Sequence, residues 1–181
     1  MNGAKRAAAA GSIVVALALG AAGQVPAAGA ASTTTREVPG LEAAIVRQVN
    51  AFRTRHGLAR LHVSVRLAAS AEDKSRRMAA RGYFDHDSPS GAPFWRQIER
   101  FYGSRGYRYW SVGENIEWGP AGIAAETALE AWLRSPPHRA VLLRARYRQF
   151  GLSAVEVTDA PGVYGGQAVT IVTAHFGVRR R

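Results

Sequence analysis

Near Tyr147 the chain changes character, and that change limits its fold more than any other feature. Before it, apolar residues recur at helical spacing; after it, apolar and β-branched residues alternate. Helical segments first and strands last, with no strand–helix–strand repeat, imply an α+β domain in which helices pack on an antiparallel sheet. Leu41, Ile45, Val49 and Phe52 fall at steps of four, four and three, which predicts an amphipathic helix ending near Gly57. Leu67, Ala71 and Met78 predict a second helix from about Val65 to Arg81, closed by Gly82, with Glu72, Asp73, Lys74, Arg76 and Arg77 on its outer face. The turn-rich run Tyr83 to Gly91 leads to a third helix near Ala92 to Tyr102, and Tyr107 to Trp118 reads as a loop. Pro120 opens a fourth helix with Ala124, Ala128, Leu129 and Trp132 inward, and Ser135 is placed to cap a short helix that begins with Pro136 and Pro137. Gly151 to Val157 and Ala168 to Phe176 read as paired strands joined by the turn-prone Thr158 to Gly166.

The N-terminus is an address. Lys5 and Arg6 precede an apolar run from Ala7 to Ala22, and Ala28-Gly29-Ala30 supplies small residues of the kind a signal peptidase cuts after. We therefore expect residues 1–31 to be a signal peptide, 32–38 a short linker, 39–178 the domain and 179–181 a basic tail. The leader's apolar core is short for a segment that must cross a bilayer, which needs about 20 apolar residues. The mature protein is expected to be secreted, extracellular, free of a transmembrane anchor and monomeric.

The 181 residues are 47% hydrophobic and 20% charged, enough for a packed core in one domain of ordinary size. Cysteine is absent, which excludes disulfide scaffolds, thiolate nucleophiles and thiolate metal sites. The formal charge is +11, and only Lys5 and Lys74 among the cations are lysines. Such a balance attracts anionic lipid or acidic envelope polymers. No nucleic-acid-binding module is legible, so nucleic acid is not an expected partner.

No nucleophile elbow, no H-E-x-x-H and no phosphate-binding glycine loop occurs. What remains are polar residues between apolar elements: His86, Glu114 and His138, with Ser135 three residues ahead of the last. Two imidazoles and a carboxylate are ordinary zinc donors, yet their scattered spacing gives no reason to bring them together, and each has a structural alternative. Glu114 in a Gly-Glu-Asn run can instead accept backbone N–H bonds. Asn115 reads as structural, and Ser135 as a helix cap rather than a nucleophile, because a nucleophilic serine needs a base and an orienting third group.

Three runs taken together resemble one family: Tyr83-Phe84-Asp85-His86-Asp87-Ser88-Pro89-Ser90-Gly91, Gly113-Glu114-Asn115-Ile116, and Ala131-Trp132-Leu133-Arg134-Ser135-Pro136-Pro137-His138-Arg139. Their order and spacing resemble the bacterial, SCP-like branch of the CAP superfamily, relatives of cysteine-rich secretory proteins, antigen 5 and pathogenesis-related 1 proteins. The likeness runs from about Leu41 to Gly177 and includes Asn50, Arg53 and Phe176-Gly177. It implies an α-β-α sandwich of about four helices on a small antiparallel sheet. It also implies a cleft in which many members bring two histidines and two glutamates together. His86, Glu114 and His138 match those positions; the second glutamate falls on Ser135, so one candidate general base is missing. His175 stands where relatives carry other polar residues, and no role follows for it.

The first functional expectation is a secreted, non-enzymatic binding module. Its cleft, formed by His86, Glu114, Ser135 and His138, would take a lipid, a sterol-like molecule, a glycan, a cell-envelope component or a divalent metal. No cofactor is required on this reading, and zinc or another divalent cation would sit at His86 and His138. Trp95, Tyr107, Tyr109, Trp110 and Trp118 flank the cleft in sequence and are read mainly as core or rim packing. The alternative is a metal-assisted hydrolase of peptide, phosphodiester or wall polymer, with Glu114 as ligand or base.

Overall fold

The computed structural model describes residues 33–181; the segment read as a signal peptide lies outside them. Five strands and five α-helices are present among the described residues. The strands are β1 (Thr35–Glu37), β2 (His62–Val63), β3 (Tyr109–Pro120), β4 (Gln149–Ala160) and β5 (Gln167–Arg180). The helices are α1 (Pro39–Arg55), α2 (Val65–Arg81), α3 (Phe94–Phe101), α4 (Ala125–Arg134) and α5 (Pro136–Leu142). The sheet order is β1-β4-β5-β3, antiparallel throughout, with short β2 added parallel to the start of β4.

Helices cover both faces, which makes the domain an α-β-α sandwich. Phe150, Leu152 and Ala154 of β4 and Val172, Ala174, Phe176 and Val178 of β5 turn to one face, where Ile45, Val49 and Phe52 of α1 and Leu129 and Trp132 of α4 cover them. The alternate residues Val155, Val157, Val169 and Ile171 face Met78 and Ala79 of α2. Because β5 is buried on both sides, it reads as a mainly apolar run interrupted only by the buried Thr170, Thr173 and His175. Trp132 is fully buried and its indole N–H donates to the Ile116 carbonyl at 3.0 Å; truncating such a residue to alanine costs about 3–5 kcal/mol.

The sandwich closes tightly at Gly151. A Cβ there would run into the backbone of Leu67 and Ala68, so α2 lies directly on the β4 main chain. At the other end of α2, Gly82 takes φ 62° and ends the helix in the left-handed conformation, as the sequence predicts.

Several expectations are corrected. The stretch Tyr107–Trp118 is not a loop: β3 occupies Tyr109–Pro120 and pairs with β5 along its whole length. Polar residues and glycines mask its alternation because one side of this edge strand builds a site rather than a core. The segment 32–38 contains β1, paired with β4, and Arg179 and Arg180 of the tail pair with Trp110 and Tyr109, so the sheet takes up residues beyond both predicted limits. Ser135 holds the N-cap position of α5, yet its hydroxyl makes no capping bond. Prolines at the first two helical positions remove the N–H at N2 that a cap commonly binds. Finally, Lys74 is not on an outer face but fully buried.

Candidate functional site

The site lies along the free edge of β3, between α5 and the segment that joins α2 to α3. Antiparallel pairing sets Glu114 opposite His175 of β5, with both side chains on the α2 side of the sheet. Glu114 is almost completely enclosed, and its two carboxylate oxygens are both taken: Oε2 accepts from His175 Nε2 at 2.8 Å and Oε1 from His86 Nδ1 at 2.7 Å. His175 is itself fully buried and its Nδ1 meets Ser70 Oγ of α2 at 3.0 Å. An ionised carboxylate only accepts, so both imidazoles present N–H to it. In neutral His86 the remaining nitrogen, Nε2, then carries a lone pair and points into the cleft.

His138, in the first turn of α5, supplies the facing imidazole. Its Nε2 lies 3.5 Å from His86 Nε2, and the rings meet edge to face at 5.6 Å. Asn115, next to Glu114 but on the opposite side of β3, donates from Nδ2 to the His138 carbonyl at 3.1 Å and holds that turn. The end of α5 is tied down from α1: Arg53 Nη1 donates to the Leu142 carbonyl at 2.7 Å and to that of Arg144 at 3.3 Å. Asn50 exchanges two hydrogen bonds with Leu61. The α1 positions named in the family resemblance thus fix the scaffold around the cleft.

The His86 segment is built with equal care. Ser88 accepts from Ala92 N through Oγ at 3.1 Å, and Asp87 Oδ1 accepts from Phe94 N at 3.1 Å, supplying the start of α3 with an acceptor. Beneath it the Lys74 ammonium donates to the carbonyls of Asp85 and His86, each at 2.6 Å. Lys74 and His175 are the participants that sequence reasoning missed. The signal for Lys74 was present: it is the third member of the stripe Leu67, Ala71, Lys74, Met78, the buried face of α2. His175 shares the α2-facing side of β5 with Ile171 and Thr173, the same two-residue alternation.

Burial pushes the Glu114 carboxyl up, but the hydrogen bonds from His175 and His86, with the charges of His175 and Lys74, outweigh it and hold the group down at about 2. The Glu114 hydrogen bond raises His86 above its ordinary range against the effect of burial. Burial, then the neighbouring His86, lowers His138. Desolvation also lowers the Lys74 ammonium, partly countered by Glu114.

A cavity of about 260 Å³ opens beside the two imidazoles, bordered by Phe94, Val112, Pro137, Val141, Arg144 and Tyr147. His86, Glu114 and His138 are brought together there; Ser135 is not among the residues that line it. Nor are the five flanking aromatics: Trp118 packs on Tyr164 at 5.2 Å, and the Trp110 indole donates to the Tyr102 carbonyl at 2.7 Å. Two imidazole nitrogens 3.5 Å apart come close to the separation of about 3.4 Å that two nitrogens take on a tetrahedral zinc ion. No group of three metal-ligating side chains converges among the described residues.

A family model described as "Cysteine-rich secretory protein family" matches residues 46–176. The chain belongs to the CAP family. The CAP domain is 34% identical over 140 residues to the Bacillus subtilis protein YkwD, and 31% identical over 115 residues to the B. subtilis membrane protein YlbC. Those matches take in 75% and 61% of this chain but 52% and 30% of the relatives, so the chain spans about half of the first and less of the second. Among solved structures, an extracellular protein containing an SCP domain from Bacillus anthracis superposes with a TM-score of 0.58 at 29% identity, over 79% of this chain and 41% of that one. An outer surface protein from Borrelia burgdorferi gives 0.67 at 17% identity, over 81% of this chain and all of that one, a likeness of fold alone. No helix among the described residues is long and apolar enough to cross a membrane.

Proposed function

We propose that this CAP domain is an exported, non-enzymatic binding module whose cleft takes a ligand, or a divalent cation completed by ligand atoms, at His86 and His138. One observation carries the reading: both oxygens of Glu114 are committed to imidazoles and the side chain is 1% exposed. A carboxylate so placed orients His86 and fixes its tautomer, and it is not free to take a proton from water or substrate. Export rests on the leader-like N-terminus and on the extracellular relative from B. anthracis.

The donor set fits a cation with two protein ligands and open coordination positions. Such an ion would act as a Lewis acid toward an oxygen or nitrogen of the bound molecule. His86 would present Nε2 while Glu114 holds its other face; His138 would present its own Nε2 from α5. Phe94, Val141 and Tyr147 would give the ligand apolar contact. The hydrolase reading would have to draw its base from His138, whose imidazole is lowered by burial, because both oxygens of Glu114 are committed.

The test is a zinc titration by calorimetry on chelator-stripped protein beside His86→Ala and His138→Ala, with peptide, phosphodiester and wall-polymer substrates assayed in parallel. We expect binding near one equivalent, lost in both variants, with no turnover. Zinc-dependent turnover abolished by either substitution would overturn the non-enzymatic reading; absence of zinc binding would remove the cation from it and leave direct ligand capture.

A further inference from the structure

Across the Phe94 side chain from the histidine pair lies a second cavity, of about 230 Å³, between α2 and α3. Arg77 and Arg81 of α2 line one side and Arg96 and Arg100 of α3 the other. Each pair is four residues apart, so each lies on one face of its helix, and the two faces meet across the groove. Ser88 and Ser90 close the end, their hydroxyls 2.9 Å from each other.

The charge is not balanced from within. Asp73 Oδ2 accepts from Arg77 at 2.9 Å, from Arg100 at 3.1 Å and from Gln97 at 3.0 Å. Arg81 and Arg96 are exposed and pair with no carboxylate among the described residues. Four guanidiniums against one carboxylate is a surplus that repels itself in the folded state, since like charges at this helical spacing are destabilising. A bound anion would relieve that repulsion. From this convergence of two arginine pairs and two hydroxyls on one concavity, we propose that the α2–α3 groove is a phosphoryl-binding site. Guanidinium forks match phosphate oxygens two at a time, and the serine hydroxyls add donors that a tetrahedral, multiply charged group can use beyond a planar carboxylate. The phosphoryl group would belong to a soluble phosphate ester or to a phospholipid headgroup.

The full chain is titrated with inorganic phosphate and with glycerol phosphate at constant ionic strength, followed by the arginine side-chain N–H resonances, with acetate as the planar control. Two double variants are compared: R81Q/R96Q, which empties the groove of its unpaired cations, and R47Q/R60Q, which removes the same charge elsewhere. We expect saturable shifts at Arg77, Arg81, Arg96 and Arg100, weakened at least tenfold in R81Q/R96Q and less than twofold in R47Q/R60Q. Thermal midpoints no lower than the parent's establish that both variants fold, since all four substituted side chains are exposed, and relief of the repulsion is expected to raise the midpoint of R81Q/R96Q. Vesicles of phosphatidylglycerol against phosphatidylcholine separate the sources: uptake on phosphatidylglycerol lost in R81Q/R96Q assigns the headgroup, and phosphate binding without uptake assigns a soluble ester. Equal weakening in both double variants, equal response to acetate, or no saturable phosphate shift would overturn the proposal.

Discussion

Glu114 and His175 stand opposite each other on β3 and β5 and join at 2.8 Å, both shut away from solvent. The charge that orients His86 is thereby anchored in the sheet rather than in the segment that carries the histidine. A segment without regular structure thus receives a rigid reference.

Replacing Glu114 with glutamine keeps the shape and removes the charge. Breaking a buried pair by removing one partner costs about 3 kcal/mol, and loss of a carboxylate behind a metal-binding histidine costs about tenfold in affinity. Urea denaturation and zinc calorimetry of Glu114→Gln check both effects. Ring-proton titration by NMR is expected to show His86 falling from its raised position.

The hydrogen bond that His86 donates to Glu114 raises the imidazole above its ordinary 6.5 in the folded state. Its stabilising contribution is therefore complete below pH 6.5 and is lost as pH rises through the raised value. Glu114, held at about 2 against an ordinary 4.5, contributes fully above pH 4.5 and loses its contribution only as pH falls toward 2. The stability difference between the parent protein and His86→Ala is thus expected to be larger at pH 6 than at pH 9. Thermal denaturation at the two pH values reads it; equal differences would remove the Glu114–His86 pair as a source of stability.

Lys74→Met fills the same buried space without the ammonium. Two carbonyls, of Asp85 and His86, then lose their donor, at a cost of about 2 kcal/mol. Faster amide exchange confined to residues 85–88 and weaker zinc binding with α2 intact would identify Lys74 as the residue that positions His86. Global loss of protection would assign it to the core alone.

Gly151→Ala tests the closeness of α2 to the sheet. The added methyl meets helix backbone rather than a movable side chain, so α2 must lift, at about 3 kcal/mol. The urea midpoint measures it; a cost near zero would show that the helix shifts freely.

The α1 stripe, Leu67, Ala71 and Met78 of α2, Ala128, Leu129 and Trp132 of α4 and the Gly82 stop were legible, because each follows from periods of a few residues. The order of elements was not: β1, β2 and β3 interleave with helices that were expected to come first, Pro120 ends β3 instead of opening α4, and Ala124 lies exposed just ahead of that helix. The three motifs carrying His86, Glu114 and His138 were legible as a family resemblance. Spacing alone could not unite them, since 52 residues separate the two histidines that face each other at 3.5 Å.

Tertiary structure alone decided the rest. Local composition set β3 as turn-rich, yet pairing with β5 made it a strand, because backbone groups beside a core must find partners and β5 offered them. Charge type suggested that Lys74 faces solvent, yet the α2 stripe carried it inside, where two carbonyls and Glu114 stabilise the ammonium. Sequence determines which faces are apolar. Which polar group each apolar face drags into the interior, and what it meets there, depends on contacts between segments far apart in the chain.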